Sequence, residues 1–249
     1  MITKRYHFET IDSTNKKIRE LAAAGAESGT LVTADAQYAG IGRRGRSWSS
    51  EKDAGIYMSI LLRPEIAADN ASMLTLVAAL AVEKAIEECL QCQPMIKWPN
   101  DLVLNKKKVC GILTEMVLKG TEIDYVVIGI GINVNNKNFP EEIAQTASSL
   151  SRELGGEIDR EMLITEVWKQ FAVYYKQFLE TTDLSFFKEK YEKVLINKEE
   201  QVKVLDPQGE YIGVAKGITN IGELIVDTKG GIVHVSSGEV SVRGIYGYV

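Results

Sequence analysis

The sequence predicts an α+β fold, in which a mixed β-sheet backed by helices precedes a small C-terminal β-barrel. Between residues 31 and 133, strand-like apolar segments are joined by short spacers, which favours antiparallel or mixed pairing. A long apolar helix interrupts these strands, and after Asn197 the pattern changes to short strands separated by turn signals rich in glycine and proline. We therefore expect two domains, residues 1–197 and residues 198–249.

The first predicted elements surround a glycine-rich loop. Residues 13–15 are short and polar and precede a helical run at 16–24, while Gly25 follows that run, which is the usual order of a helix start and a helix end. Residues 31–37 and 55–62 are rich in apolar and β-branched side chains, which predicts two strands. The loop between them is therefore anchored to the sheet at both ends.

Apolar periodicity predicts the remaining core elements. Residues 69–91 are rich in alanine, with apolar positions at helical spacing, so they are expected to form a long buried helix. Two shorter amphipathic helices are predicted at 162–179 and from 185 to about 194. The other strands of the sheet are predicted at 95–98, 102–104, 109–116 and 125–133.

The composition argues against several classes of protein. The 249 residues are 45% hydrophobic and 25% charged, as in ordinary globular proteins. No apolar run reaches the roughly 18 residues of a membrane helix, and the N-terminus lacks a signal-peptide core, so we expect a cytoplasmic protein with no membrane partner. A net charge of -5 argues against general DNA binding. For Cys89 and Cys92 a structural role is favoured over a metal or redox site, because no second ligand pair accompanies them.

A basic loop at residues 40–48, Gly-Ile-Gly-Arg-Arg-Gly-Arg-Ser-Trp, is the most informative motif and is called the arginine loop below. Glycine lets the main chain approach a ligand closely, and the planar fork of arginine matches carboxylate or phosphate oxygens. The loop alone fits an anion site beside a flat ring, such as a nucleotide or an acyl phosphate, but it fits a solvated turn equally well. Its function therefore depends on the motifs around it.

Two motifs follow the arginine loop, Lys97-Trp98-Pro99-Asn100-Asp101 and Lys108-Val109-Cys110-Gly111-Ile112-Leu113. As a set, the three segments resemble the catalytic core of biotin protein ligases. The resemblance covers nearly the whole chain, since it extends to residues 13–15, 129–135 and 238–243. It implies a class II synthetase-like core of the biotin–lipoyl ligase type, followed by an SH3-like β-barrel.

The resemblance implies an ATP-dependent ligase that acts in two steps. The biotin carboxylate displaces pyrophosphate from ATP to give biotinyl-5'-AMP, and a lysine of a biotin carrier domain then accepts biotin and releases AMP. The implied ligands are biotin, ATP and Mg²⁺, and the implied partner is the carrier domain of a biotin-dependent carboxylase, such as acetyl-CoA carboxylase. Because Ser13 comes so early, a short form is expected, without the helix-turn-helix domain of repressor ligases. A homodimer is expected by analogy.

The resemblance also assigns roles to individual residues. Cations are needed where negative charge accumulates in the first step, and Lys108, Arg43 and Lys97 are the implied catalytic cations. Asp101 is the implied Mg²⁺ ligand. The implied biotin contacts are Ser13, Thr14, Asn15, Gln37, Gly40, Ile41, Gly42, Arg43, Lys108 and Gly111. The implied nucleotide contacts are Arg44, Arg46, Trp48 stacked on adenine, Asn100, Asn133 and Arg243, with Lys203 as a further contact.

Two alternatives remain open. A lipoate or octanoate ligase or transferase shares the architecture and also acylates a carrier lysine, although the motif set favours biotin. A non-catalytic module that binds nucleotides or nucleic acid is the second alternative, and the acidic net charge weighs against its nucleic-acid form. The chain also departs from the family at Ile41, where many members have arginine, which predicts either weaker electrostatic retention of the adenylate or compensation by the backbone N–H groups of Gly42 and Arg43.

Overall fold

A computed structural model of the chain describes residues 2–207, 209–238, 241–244 and 248–249. Two residues of the predicted motif at 238–243, Glu239 and Val240, lie outside the described residues. The strands are β1 (Lys4–Ile11), β2 (Thr30–Gln37), β3 (Gly55–Leu62), β4 (Met95–Lys97), β5 (Asp101–Leu104), β6 (Lys107–Lys119), β7 (Glu122–Asn133), β8 (Gln201–Leu205), β9 (Tyr211–Ile218), β10 (Leu224–Thr228), β11 (Gly231–Val235) and β12 (Ser241–Gly244). The α-helices are α1 (Thr14–Ala23), α2 (Leu74–Leu90), α3 (Leu150–Leu154), α4 (Arg160–Thr181) and α5 (Lys188–Lys193).

The larger sheet has seven strands in the order β1-β2-β3-β7-β6-β5-β4. Strands β1 and β2 are parallel, with α1 as their crossover connection, and the other neighbours are antiparallel. The mixed sheet backed by helices is therefore confirmed. Strand β1 was not predicted, because it is a largely exposed edge strand whose sequence is mostly polar.

Helices α2 and α4 provide most of the helical part of the core. The predicted helix at 69–91 is divided, since Ala68–Met73 form a 3₁₀ helix and the α-helix begins only at Leu74. Most of α2 is buried, and it shares one hydrophobic cluster with the sheet and with Trp168 and Phe171 of α4. This packing holds one face of the sheet rigid, so the sheet can position side chains at its strand ends.

The C-terminal unit is an antiparallel sheet of five strands in the order β11-β10-β9-β8-β12. Within the described residues its end strands β11 and β12 do not pair with each other, so the expected barrel is observed as a sheet. Its buried side chains, including Val202, Val204 and Leu224, belong to the same hydrophobic cluster as α2 and the larger sheet. The Trp98 indole also donates a hydrogen bond to the carbonyl oxygen of Gly222 at 3.0 Å, which fixes this sheet beside strands β4 and β5.

In the part of the chain that the structure describes, no helix is both long enough and apolar enough to cross a membrane.

Candidate active site

Two adjoining cavities lie beneath the arginine loop. The inner cavity has a free volume of about 40 Å³ and is lined by the start of α1, by β6 and β7, and by the loop. The outer cavity has a volume of about 600 Å³ and lies between the loop, residues 97–101 and the C-terminal sheet. Five residues line both cavities, namely Gly42, Arg43, Trp48, Asn100 and Lys108.

The inner cavity is bordered by a network of neutral hydrogen-bonding groups. The Thr14 amide and hydroxyl both donate to Gln37 Oε1, at 2.8 and 3.1 Å. Beneath them the fully buried Ser59 hydroxyl lies 2.8 Å from Thr14 Oγ1 and 2.6 Å from Asn15 Oδ1. These bonds fix the orientation of the side chains that the sequence predicted as biotin contacts, so recognition groups are held in place before any ligand arrives.

Two further groups complete this network. Asn15 Nδ2 donates to Glu115 Oε2 at 2.7 Å, and Arg19 approaches the other Glu115 oxygen at 3.3 Å. Ser13 is the N-cap residue of α1, yet its side chain makes no capping hydrogen bond to the helix. Its hydroxyl, which can both donate and accept, is therefore not used by the helix and can serve a ligand in the inner cavity.

The floor of the inner cavity is made of glycine backbone. Gly111 on β6 pairs directly with Gly131 on β7. A Cβ atom at Gly111 would lie 2.7 Å from Trp48 Cζ3, and one at Gly131 would lie 2.5 Å from Trp48 Cε2. The indole therefore rests on bare backbone, which glycine alone permits. At Gly129 a Cβ atom would collide with the side chain of Asn15.

Arg43 connects the arginine loop to both halves of the site. Its guanidinium donates to Asn100 Oδ1 at 2.7 Å, and to the carbonyl oxygens of Ser237 and Gly238 at 2.5 and 3.0 Å. Burial lowers the pKa of Arg43, although its ordinary value is so high that the group stays charged. The loop is thus tied to the core and to the C-terminal sheet through one cation.

Lys108 and Asp101 form an ion pair where the two cavities meet, with Nζ 2.6 Å from Oδ1. Burial by itself would raise the pKa of Asp101, but the positive charges of Lys108 and Lys97 outweigh that effect and hold this pKa below its ordinary value. The Tyr248 hydroxyl donates to the other Asp101 oxygen. The Lys108 ammonium also lies 5.3 Å from the centre of the Trp48 ring, so the indole and the ion pair together separate the cavities.

Asp101 is the buried carboxylate of the outer cavity. The described residues contain no group of three or more histidine, cysteine or acidic side chains that could hold a metal ion. Mg²⁺ commonly binds to proteins through one or two carboxylates together with substrate phosphates. Asp101 would be the one carboxylate that this cavity offers to such an ion, and its Oδ2 accepts the hydrogen bond from Tyr248.

Lys97 is the most deeply buried cation of the outer cavity, with 5% of its surface exposed. Its ammonium donates to the carbonyl oxygen of Val242 at 3.0 Å and lies 4.2 Å from the centre of the Tyr248 ring. Burial lowers the pKa of Lys97 to about 8, and the nearby Lys108 adds to this effect while Asp101 opposes it. Its charge is therefore sensitive to pH near neutrality.

The other predicted nucleotide residues also meet at the outer cavity, with one exception. Asn133 is buried there and donates to the Ser148 carbonyl oxygen at 3.0 Å. Lys203 does not line either cavity and forms an ion pair with Glu210, although its cross-strand partner Arg243 does line the outer cavity. Arg44, Arg46, Trp48, Asn100, Asn133 and Arg243 all line the outer cavity.

The sequence also matches families of known proteins over both parts of the chain. Residues 7–133 match the biotin/lipoate A/B protein ligase family, and residues 199–243 match the biotin protein ligase C-terminal domain. The chain belongs to the biotin protein ligase family. Over 239 residues it is 39% identical to the bifunctional ligase/repressor BirA of Bacillus subtilis, and the alignment covers 95% of this chain and 73% of that protein.

Two further members of the ligase family match along almost their whole length. The biotin--[acetyl-CoA-carboxylase] ligase of Paracoccus denitrificans is 33% identical over 241 residues, covering 94% of this chain and 98% of that protein. The structure of the Aquifex aeolicus biotin protein ligase in complex with biotin and ATP superposes with a TM-score of 0.87 at 35% identity, covering 97% of this chain and 99% of that one. Both parts of the chain therefore have their counterparts in one known architecture.

Several site residues were missed by the sequence analysis. Ser59, Glu115 and Ser50 contact predicted ligand residues, and Tyr248 contacts both Lys97 and Asp101. Only Ser59 carried a signal, because it is the single strongly polar side chain in the apolar strand Gly-Ile-Tyr-Met-Ser-Ile-Leu-Leu. The others are recognisable only when distant parts of the chain are brought together.

Proposed function

We propose that this protein joins biotin to ATP, releasing pyrophosphate, and then transfers biotin from biotinyl-5'-AMP to a lysine of a biotin carrier domain, releasing AMP. The observation that carries this proposal is the shared wall of the two cavities. An acid in the inner cavity and a nucleotide in the outer cavity would meet at Lys108 and Arg43. The names of the relatives support the same two substrates.

In the first step a carboxylate oxygen attacks the α-phosphorus, and the bond from that phosphorus to the pyrophosphate oxygen breaks. Two negative groups must approach each other, so cations held in place lower the barrier. Lys108 can follow a phosphoryl oxygen, because its ammonium is a compact charge on a flexible stem. Arg43 is held rigidly by Asn100 and two backbone carbonyls, and so supplies a fixed charge.

Asp101 is proposed to hold Mg²⁺ together with the phosphates, and the ion would neutralise phosphate charge there. Asp101 is also proposed to orient Lys108, because Asp101 Oδ1 lies 2.6 Å from the Lys108 ammonium. Lys97 and Arg243 approach the phosphates from the C-terminal side of the outer cavity. Trp48, Asn100 and Asn133 are proposed to receive the nucleoside.

In the second step the amine nitrogen of the carrier lysine attacks the acyl carbon, the bond from that carbon to the AMP oxygen breaks, and the amine loses a proton to solvent. The arginine loop contributes Gly42, Arg43 and Trp48 to the wall around the acyl phosphate. Such a cover keeps water from a reactive anhydride until the lysine arrives.

Other features of the proposal concern the protein as a whole. We propose a domain boundary between residues 197 and 198. We also propose that the partner is the carrier domain of a biotin-dependent carboxylase and that the protein acts in the cytoplasm. A homodimer is supported by β1, which lies at one edge of the larger sheet and is largely exposed.

Pyrophosphate release from ATP and Mg²⁺ tests this function, measured with biotin, lipoate, octanoate or no acid, and with mass spectrometry of the adenylate. We expect release with biotin only, followed by transfer to a biotin carrier domain. Release with lipoate or octanoate alone would move the chain to the lipoyl branch of its family. Absence of release with every acid would refute the ligase reaction.

A further inference from the structure

The main chain at Lys108 is paired with a segment outside the named strands. The Lys108 N–H donates to the carbonyl oxygen of Thr146 at 2.8 Å, and the Ser148 N–H donates to the carbonyl oxygen of Lys108 at 2.9 Å. These two bonds pair residues 146–148 in parallel with Lys108. The pairing of β6 with β7 begins only at Cys110, so residues 146–148 continue this edge of β6. The position of the Lys108 backbone therefore depends on this segment.

A β-bulge also determines where the Lys108 side chain points. Strand β6 carries one extra residue, Val109, opposite the step from Leu102 to Val103 on β5. Side chains three positions apart face opposite sides of a regular strand. Here a Cβ atom at Gly111 would lie 3.1 Å from Lys108 Nζ, so positions 108 and 111 face the same space. The bulge brings the ammonium to the cavities, and the local backbone must keep this irregular form for the ammonium to stay there.

The segment at 146–148 is held in turn by Glu153, a residue of α3. Glu153 Oε1 accepts a hydrogen bond from the Ser148 hydroxyl at 2.5 Å, and Oε2 accepts one from Asn105 Nδ2 at 2.8 Å. The Lys107 ammonium lies 3.9 Å from Oε1. Burial by itself would raise the pKa of Glu153, but the hydrogen bonds from Ser148 and Asn105 outweigh that effect and hold this pKa below its ordinary value. One carboxylate therefore connects the segment at 146–148 to the turn that leads into β6.

Ser148 is the link between this carboxylate and Lys108. It is fully buried, and its hydroxyl contacts Glu153 while its N–H contacts the Lys108 carbonyl oxygen. Removal of the carboxylate would leave a buried hydroxyl without its acceptor, which favours a shift of the segment toward other partners. Such a shift would move the backbone of Lys108 with it. Glu153 lines neither cavity, so it would act on the ligands only through the residues that it holds.

We propose that Glu153 is a positioning residue for adenylate formation, which holds the main chain of Lys108 through Ser148 so that the ammonium stays at the meeting point of the two cavities. The inference rests on the proposed function, because it takes Lys108 as the cation that follows the phosphoryl oxygen. A misplacement of about 1 Å can lower a rate about a hundredfold even when the substitution is far from the reacting atoms. Loss of Glu153 should therefore lower kcat and leave the affinity for biotin, whose proposed contacts lie mainly on α1, on β2 and in the arginine loop, nearly unchanged.

Pyrophosphate release by the intact protein, measured at saturating ATP, Mg²⁺ and biotin, tests this role. We expect Glu153→Ala to lower kcat about 10- to 100-fold while KM for biotin changes less than threefold. Glu153→Gln keeps an acceptor oxygen for Ser148 and should keep most of the rate. Ser148→Ala breaks the same hydrogen bond from the other side and should lower kcat in the same way, and it carries the test if Glu153→Ala does not fold. Saturating ATP removes any change of ATP affinity through Asn133, whose amide donates to the Ser148 carbonyl oxygen.

A double variant shows whether Glu153 acts through Lys108. Coupled residues have non-additive effects, so Glu153→Ala should change kcat less than twofold when Lys108→Ala has already removed the ammonium. The same factor in both backgrounds would overturn the role of Glu153, since it would then act by another route. An unchanged kcat in Glu153→Ala alone would overturn it as well.

Glu166→Ala is the matched control. Glu166 of α4 is a similarly covered carboxylate that also accepts hydrogen bonds, from Lys169 and Gln170, and it lines neither cavity. The kcat of this variant should equal that of the wild type. An equal loss of kcat in Glu166→Ala and Glu153→Ala would overturn the inference while the ligase reaction stands, because any lost ion pair would then have the same effect. A wild-type protein that releases no pyrophosphate with biotin would instead refute the proposed function.

Discussion

The two cavities share one wall but differ in the chemistry of their other walls. The inner cavity is small, and its recognition groups are neutral hydroxyls and amides held by one another on α1, β2 and β3. The outer cavity is large and lined by cations that come from the arginine loop, from strands β4 and β6 and from the C-terminal strand β12. The difference indicates that the inner cavity selects a substrate by shape and hydrogen bonding, whereas the outer cavity binds and stabilises negative charge. Three variants and one pH profile test this comparison.

The largest effect is expected where the two cavities meet. Lys108→Ala removes the flexible cation beside Asp101, and we expect the rate of biotinyl-5'-AMP formation to fall by roughly 10²–10³, as for loss of one strong electrostatic contact to a transition state. Pyrophosphate release under saturating substrates measures this rate. Lys106→Ala, two residues earlier and exposed, is the control. A Lys108→Ala enzyme that keeps a third of the wild-type rate would remove Lys108 from the catalytic set.

A substitution beside the inner cavity should change the affinity for biotin and leave the catalytic rate nearly unchanged. Ser59→Ala removes the buried hydroxyl that contacts both Thr14 and Asn15. Leaving a buried polar group without its partner costs roughly 1–3 kcal/mol of free energy. We expect KM for biotin to rise about tenfold or more, with kcat nearly unchanged. Thr75→Ala also removes a hydroxyl, one that donates to Thr114 at 2.8 Å outside both cavities, and should not alter KM. Equal effects of the two variants on KM would show that Ser59 acts only through general stability.

Alkaline pH should weaken the use of ATP in the outer cavity and leave biotin binding in the inner cavity nearly unchanged. The pKa of Lys97 is lowered to about 8, so its protonated fraction falls as pH rises through that value. We expect kcat/KM for ATP, which reports groups of the free enzyme, to fall about tenfold per pH unit above this pKa. Biotin affinity measured alone should change less than threefold between about pH 7 and pH 9. A flat profile for ATP over this range would mean that the charge of Lys97 is not needed.

The smallest effect is expected at the rim of the inner cavity. Ile41 is partly exposed and lines that cavity without offering a charge. Ile41→Arg should slow release of the adenylate by about threefold to tenfold, and added salt should reduce this gain, since exposed charges are screened. Release of radiolabelled adenylate from the variant and from an Ile41→Val control measures the change. Identical release rates would mean that position 41 has no part in retention.

Much of this architecture could be predicted from sequence because it depends on local patterns. The strand at 55–62 was predicted with the bounds that are observed, and the strands predicted at 95–98, 102–104 and 109–116 are neighbours in the sheet. Asp101 and Lys108 each lie one residue before the predicted start of their strand but belong to it in the structure. The edge strand β1 alternates apolar and polar residues only at Tyr6 and Phe8, which is too short a pattern among polar residues, and it was missed.

The hydrogen-bonding partners of the site could not be predicted in the same way. Asn15 and Glu115 are 100 residues apart in the chain, and Asp101 and Tyr248 are 147 residues apart. No local pattern indicates that such pairs meet, because the sheet register and the packing of the C-terminal sheet bring them together. The same limit applies to Lys203, which the resemblance implied as a nucleotide contact but whose side chain pairs with Glu210.

The wall between the cavities consists of side chains and loop backbone, with Trp48 and Lys108 at its centre. A molecule that occupies both cavities therefore has to displace side chains and loop backbone but no strand. When two weakly bound fragments are joined across such a gap, the second binds at a millimolar effective concentration set by the linker, so the joined molecule can bind 10²–10⁴ times more tightly than either fragment. For this protein the linker of such an inhibitor would pass Trp48 and Lys108.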